Sequence, residues 1–155
     1  MSLAQIKKEL EHLPQPELVQ LLLRTAKFKK ENKELLFYLL FESNDVDGFI
    51  LQCKKEITKQ FKEVNKTHVY YAKKSIRKVL RWVNKQIKFS NQPVVTIELL
   101  LHFIHELKQL NSLLEQSNQL LHVYLNQYKK VKLTIAKLHE DLQYDYTKLL
   151  EKLTV

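Results

Sequence analysis

One glycine, three prolines and one cysteine are all that these 155 residues offer in the way of punctuation or staples. With Gly48 alone, neither a P-loop nor a glycine-rich dinucleotide fingerprint can be written, because both need several glycines to let backbone approach phosphate. Tight hairpins lack their chemistry as well. The single cysteine, Cys53, excludes an intrachain disulfide framework and suits a reducing compartment, so cytoplasm is the expected location. No stretch approaches the ~20 apolar residues of a membrane span, and "MSLAQIKKELEHL" has neither the apolar run nor the cleavage site of a signal peptide. We therefore read a soluble, unprocessed protein.

Leu, Lys, Glu and Gln dominate instead, and their straight side chains lose little rotamer freedom in a helix. The expected fold is all-α: one domain, residues 1–155, a bundle of about six or seven helices, shorter in the N-terminal half and longer in the C-terminal half. A chain of this size buries roughly 70% of the surface its unfolded form exposes, so no metal or disulfide staple is needed.

Ser2 with Gln5 fits a capping box for a first short helix that stops before Pro14. Pro16 sits where a starting helix tolerates proline. "KENK" is read as separating that second helix from "ELLFYLLFE", whose nearly continuous apolar run predicts burial on most sides. "SNDVDG" supplies capping oxygens for a fourth helix carrying Phe49, Ile50, Cys53, Ile57, Phe61 and Val64 at three- and four-residue steps. Cys53 reads as core, since a buried thiol behaves as a small hydrophobe.

The charge is local. Residues 54–88 hold 12 Lys or Arg against Glu56 and Glu63, while the flanking regions are close to neutral. At 100° per residue, a helix over about 68–88 sets Val69, Ile76, Leu80, Val83 and Ile87 on one face and Lys74, Lys78, Arg81, Lys85 and Lys88 on the other. Lys73 and Arg77 extend the basic face, Tyr70 lies within it, and Tyr71 and Trp82 lie at its edge. Cations at helical spacing with aromatic neighbours are what phosphate backbones and unstacked bases require. A solvated face that keeps the protein soluble is the plainer reading of such a charge run. A membrane surface is disfavoured, because the opposite apolar face is needed for the core. An internal partner is available in Glu140, Asp141 and Asp145 of "LHEDLQYDY", if the last helix packs beside the basic one.

From Thr96 onward there is neither glycine nor proline, and a heptad seam runs from Leu100 through Phe103, Leu107, Leu114, Tyr124 and Ile135 to Leu142, interrupted by Ser117. Unbroken, this helix would reach ~90 Å, the length of an elongated coiled-coil oligomer. Ser112 with Glu115 and the weak helix region "EQSNQ" predict a break within 111–119. Glu98, His102 and His105 share a face that zinc or iron could use, but the spacing matches no recognised ligand motif, and the face lies opposite Leu100, Phe103 and Leu107, hence toward water. No metal, cofactor or catalytic residue is assigned.

"KENKELLFYLLFE" at 30–42, "KKSIRKVLR" at 73–81 and "LHEDLQYDY" at 138–146 together resemble a family of small uncharacterised bacterial proteins of the Bacteroidetes type. The resemblance implies an all-helical fold and a cytoplasmic location, and it carries no activity or site residue. The expected function is that of a non-enzymatic binding or scaffolding protein. Lys73, Lys74, Arg77, Lys78, Arg81, Lys85 and Lys88, with Trp82 and Tyr70, form the candidate surface for nucleic acid or another polyanion. The alternative is a protein–protein module or homo-oligomer built on the seam at 100–142.

Overall fold

Ser2 Oγ accepts the Gln5 backbone N–H at 3.3 Å, and Gln5 Oε1 accepts the Ser2 N–H at 3.0 Å, so the capping box read from the sequence opens α1 (Leu3–Leu10). The computed structural model describes residues 2–154, and among them the chain forms helices and turns with no strand. It divides into two units, one ending at Glu42 and the other beginning at Ser43.

In the first unit, Pro14 is extended and Pro16 occupies the first turn of α2 (Gln15–Phe28). The chain breaks at Lys29, whose φ is −140°, one residue earlier than expected, so "KENK" is the first turn of α3 (Lys30–Phe37) and not a linker. Asn32 closes this hairpin by donating from its side-chain amide to the Thr25 carbonyl at 2.9 Å. α3 then passes into one π-helical turn, Tyr38–Glu42. The expectation that "ELLFYLLFE" is buried on most sides fails here. Tyr38 is buried, whereas Phe37, Leu39, Leu40 and Phe41 are exposed, Phe41 by 69%. A helix that is apolar all round can be covered on every side only inside several layers. This short hairpin has one inner side, and the outer half of the run is left bare.

The second unit begins with Asp45, whose carboxylate accepts the Gly48 N–H at 2.9 Å and caps α4 (Val46–Lys62). A Cβ on Gly48 would fall on that carboxylate, which explains the one glycine in the chain. All six residues of the predicted stripe, Phe49 to Val64, are buried. α5 (Val69–Ser90) buries Ala72, Ile76, Val79 and Val83, while Val69, Leu80 and Ile87 of the predicted face are half-buried. The true centre of that face is rotated toward Val79. Asn91, left-handed at φ 50°, ends α5, and Pro93 starts α6 (Pro93–Lys108).

After α6 come α7 (Asn111–Gln116), α8 (Asn118–Ile135) and α9 (Glu140–Glu151), making nine helices among the described residues where six or seven were expected. The predicted break within 111–119 is real and lies at Ser117, which is extended at φ −139° and caps α8 by accepting the Leu120 N–H. Turns at Gln109–Leu110 and before Glu140 add two more breaks, in a stretch whose heptad phase continues through all of them.

Inter-helix contacts give the topology. Lys54 meets Glu98, Thr58 meets His102 and Glu106, at sequence separations of 44 to 48, and a nearly constant separation means that α4 and α6 run parallel. Lys73–Gln119 and Asn84–Lys130, both separated by 46, make α5 and α8 parallel, and Tyr146–Glu98 with Lys108–Thr154 does the same for α6 and α9. α6 is the hub, packed on α4, α5, α8 and α9. Its Val95, Ile97, Leu99, Leu100, Phe103, Ile104 and Leu107 are fully buried, which takes apolar residues on nearly every side of the helix. The heptad seam is consumed here. Leu100, Phe103, Leu107, Leu114, Ser117, Tyr124, Val131 and Ile135 are buried in this unit's own core, and Leu142 is exposed.

Candidate nucleic-acid interface

The polar face of α5 divides into two flanks, because α4 packs along one side of its buried stripe and side chains of α8 reach the other through Lys73–Gln119 and Asn84–Lys130. On the α8 side Tyr70, Lys73, Lys74, Arg77 and Arg81 line a cavity of about 350 Å³ together with Gln119. Lys73 Nζ donates to Gln119 Oε1 at 3.0 Å, and Arg77 Nη2 reaches the same oxygen at 3.5 Å. Two cations thus converge on one neutral amide. Tyr70 is 65% exposed, its ring edge-on to Tyr71 at 5.4 Å.

On the α4 side, Lys78 and Trp82 line a different groove, about 320 Å³, with Glu56, Gln60, Glu63, Ser75 and Val79. Trp82 therefore does not join Tyr70 in a single aromatic surface. Its half-buried indole stands beside two carboxylates, poor company for a phosphate strand. Lys88 is exposed and Lys85 half-buried in the last turns of α5. Among the described residues, no carboxylate forms an ion pair with Lys73, Lys74, Arg77, Lys78, Arg81 or Lys88.

The acidic stretch does not cover this face. α9 packs on α8 and α6, and Glu140, Asp141 and Asp145 are exposed at its start. Asp141 lies 3.4 Å from His139 Nδ1, whose ring also accepts the Asp141 N–H as the cap of α9. Glu140 and Asp141 stand in the first turn of α9, where carboxylates are favoured by the helix dipole.

A larger groove of about 510 Å³ lies between α4 and α6, lined by Leu51, Lys54, Lys55, Thr58, Lys59, Lys62 and His102. Size does not decide between the two. Here Lys54 is paired with Glu98, and Lys59 stands 3.9 Å from Glu56, so among the described residues two of the four lysines in this lining, Lys54 and Lys59, are answered by a carboxylate and Lys55 and Lys62 are not. The α5–α8 groove has four cations and no acid in its lining.

Of Glu98, His102 and His105, expected to meet water, His105 is exposed, whereas Glu98 and His102 are partly covered by α4 and α9. Glu98 accepts from Lys54 and from Tyr146 Oη, the latter at 2.7 Å. Thr58 Oγ1 donates to Glu106 at 3.0 Å and lies 2.7 Å from His102 Nε2. A hydroxyl has one proton, so with Thr58 donating to the carboxylate, His102 must donate through Nε2. Burial lowers the His102 pKa, with Glu106 opposing and Lys54 and His105 adding to the fall. Burial and the hydrogen bond to Glu98 together push the Tyr146 phenol well above its usual range. Among the described residues no three His, Cys, Asp or Glu side chains converge as metal ligands. The cluster is saturated by its own members.

The sequence pointed to the α5 cations and to Tyr70, but not to Gln119. Its only signal was position: the second residue after the Ser117 cap, where the first turn of a helix most often carries an acid. No helix among the described residues is long and apolar enough to cross a membrane. Comparison of the chain with protein-family models, with curated proteins and with solved structures found no match.

Proposed function

We propose that this chain binds nucleic acid through the groove between α5 and α8, with Lys73, Lys74, Arg77 and Arg81 on the phosphate backbone and Tyr70 stacking against an unpaired base. The observation that carries the reading is the uncompensated lining: four cations, one exposed phenol and one neutral amide, with no carboxylate. Fixed cations displace condensed counterions from a phosphate backbone, and an exposed ring adds sequence-tolerant stacking on single strands. Lys78, Lys85 and Lys88 add long-range attraction from the same helix.

Fluorescence anisotropy of labelled single- and double-stranded DNA and RNA, titrated at several salt concentrations, tests it. Wild-type affinity should fall steeply with salt, and Lys73→Glu/Arg77→Glu/Arg81→Glu should abolish binding while leaving the helical circular dichroism unchanged. Absence of binding at low salt would sink the reading.

A second reading, self-association, draws on the first unit. With most of the seam of residues 100–142 buried or half-buried, this reading turns to Leu39, Leu40 and Phe41, a consecutive run among the exposed apolar side chains of the first unit. Residues 2–42 hold 7 Lys or Arg against 6 Asp or Glu, so two copies would meet without charge repulsion. Sedimentation equilibrium of wild type against Phe41→Glu distinguishes a dimer held there from a monomer.

A further inference from the structure

We infer that Gln119 is a stand-in for a phosphate oxygen: in the unliganded protein its amide oxygen holds Lys73 and Arg77 together, and a phosphate of the bound strand takes over both hydrogen bonds. This inference rests on the nucleic-acid reading above. It concerns how that groove is kept ready for its ligand.

Three observations carry it. The first is geometric: Gln119 Oε1 accepts from Lys73 Nζ at 3.0 Å and lies 3.5 Å from Arg77 Nη2, the second contact being at the weak limit of a hydrogen bond. Both donors are cations, and an ionised phosphate oxygen adds a charge–charge attraction that the neutral amide lacks, so a phosphate would outcompete the amide for both. Gln119 is exposed, and its side chain has open space to turn into when displaced.

The second is positional. Gln119 stands in the first turn of the 18-residue α8, directly after the Ser117 cap, and no acidic residue occupies that turn. The positive end of the helix dipole and two facing cations all favour a carboxylate at this place. Glu has the same shape as Gln and would satisfy all three. The chain carries the neutral isostere, which gives up an internal ion pair and leaves the charge of the groove open.

The third is the break at Ser117. The chain must turn between α6 and α8 for the two to pack together, and it completes that turn at Ser117. The break creates the first turn of α8 and sets Gln119 against α5. Without it, no helix start would face Lys73.

The test compares full-length wild type, Gln119→Glu and Gln119→Ala in anisotropy titrations with a fluorescein-labelled oligothymidylate over a range of salt. A carboxylate in that position competes with the strand for Lys73 and Arg77. Gln119→Glu should therefore weaken binding by about tenfold or more and lower the salt slope by about one to two, the effect of removing one or two phosphate contacts. Gln119→Ala should stay within about threefold of wild type, because only the stand-in is lost. Thermal melts by circular dichroism establish that each variant is folded at the assay temperature. If Gln119→Glu binds like wild type, or Gln119→Ala weakens binding as much as Gln119→Glu does, the stand-in role is wrong and the groove can still be the site. If wild type does not bind at low salt, the nucleic-acid reading fails and takes this inference with it.

Discussion

Tyr146 Oη donates to Glu98 Oε1 at 2.7 Å, tying the last helix to the middle of the central one. Glu98 also accepts from Lys54 of α4, so one carboxylate joins three helices. Tyr146→Phe should destabilise the second unit by about 1.5–3 kcal/mol, the usual range for a hydrogen bond to a charged group. Urea denaturation followed by circular dichroism measures it.

That bond also sets an alkaline limit. The folded pKa of Tyr146 is raised, with burial first and the Glu98 hydrogen bond second, so the folded state holds the phenolic proton more tightly than the unfolded state does. Its contribution is fully present below the ordinary tyrosine value of about 10 and is lost as pH rises beyond it. Wild type and Tyr146→Phe should therefore converge in melting temperature above pH ~10.

His102 works in the opposite direction. Its pKa is lowered, chiefly by burial, so the unfolded chain takes up a proton at a higher pH than the folded one. The neutral ring's contribution is intact above the ordinary value of about 6.5 and is lost as pH falls through the folded value. The stability advantage of wild type over His102→Gln should shrink on acidification from about pH 6.5. An NMR titration of the ring should place its midpoint below that value, and a midpoint above it would contradict the buried, neutral state.

The seam separates into core and surface positions. Leu107→Ala removes a fully buried side chain from α6 and should cost about 2–5 kcal/mol. Leu142→Ala, at 44% exposure on α9, should cost about 0.5 kcal/mol or less, although both residues obey the same heptad. Comparable losses from the two would mean that Leu142 is covered in solution, as a seam-mediated oligomer requires.

Ser117→Leu restores the apolar register that the sequence interrupts. It should still destabilise, by about 1 kcal/mol, because the hydroxyl caps α8 through the Leu120 N–H and the backbone there is extended. A gain in both stability and helical ellipticity would indicate that α7 and α8 can fuse.

Much of this was legible in the chain, and the parts that were not share a cause. Caps and breaks are local, so Ser2 with Gln5, Pro16 and the interruption within 111–119 could be read directly. The stripe from Phe49 to Val64 was legible because α4 has one buried face. On α6 the same reasoning failed. A helix packed on several neighbours keeps only a narrow solvent side, and Glu98 and His102 meet α4 and α9 through a polar network that periodicity cannot anticipate. In the candidate site, the cations of α5 announced themselves by charge, but which neighbour divides them did not. Trp82 went to the α4 side, and Gln119, neutral and distant in sequence, carries no compositional mark at all.

The position of α6 as hub also bears on how the protein is made. α4, α5 and α6 leave the ribosome in order and pair locally, which favours rapid folding. The side of α6 that α8 covers must wait for a later part of the chain, so a nascent molecule carries an apolar face of α6 that α8 has yet to close. Such a face is a site for chaperone capture or for pairing with another nascent chain. The short α7 and the tight breaks on either side of it keep α8 close behind, limiting that exposure to the time taken to synthesise the next helix.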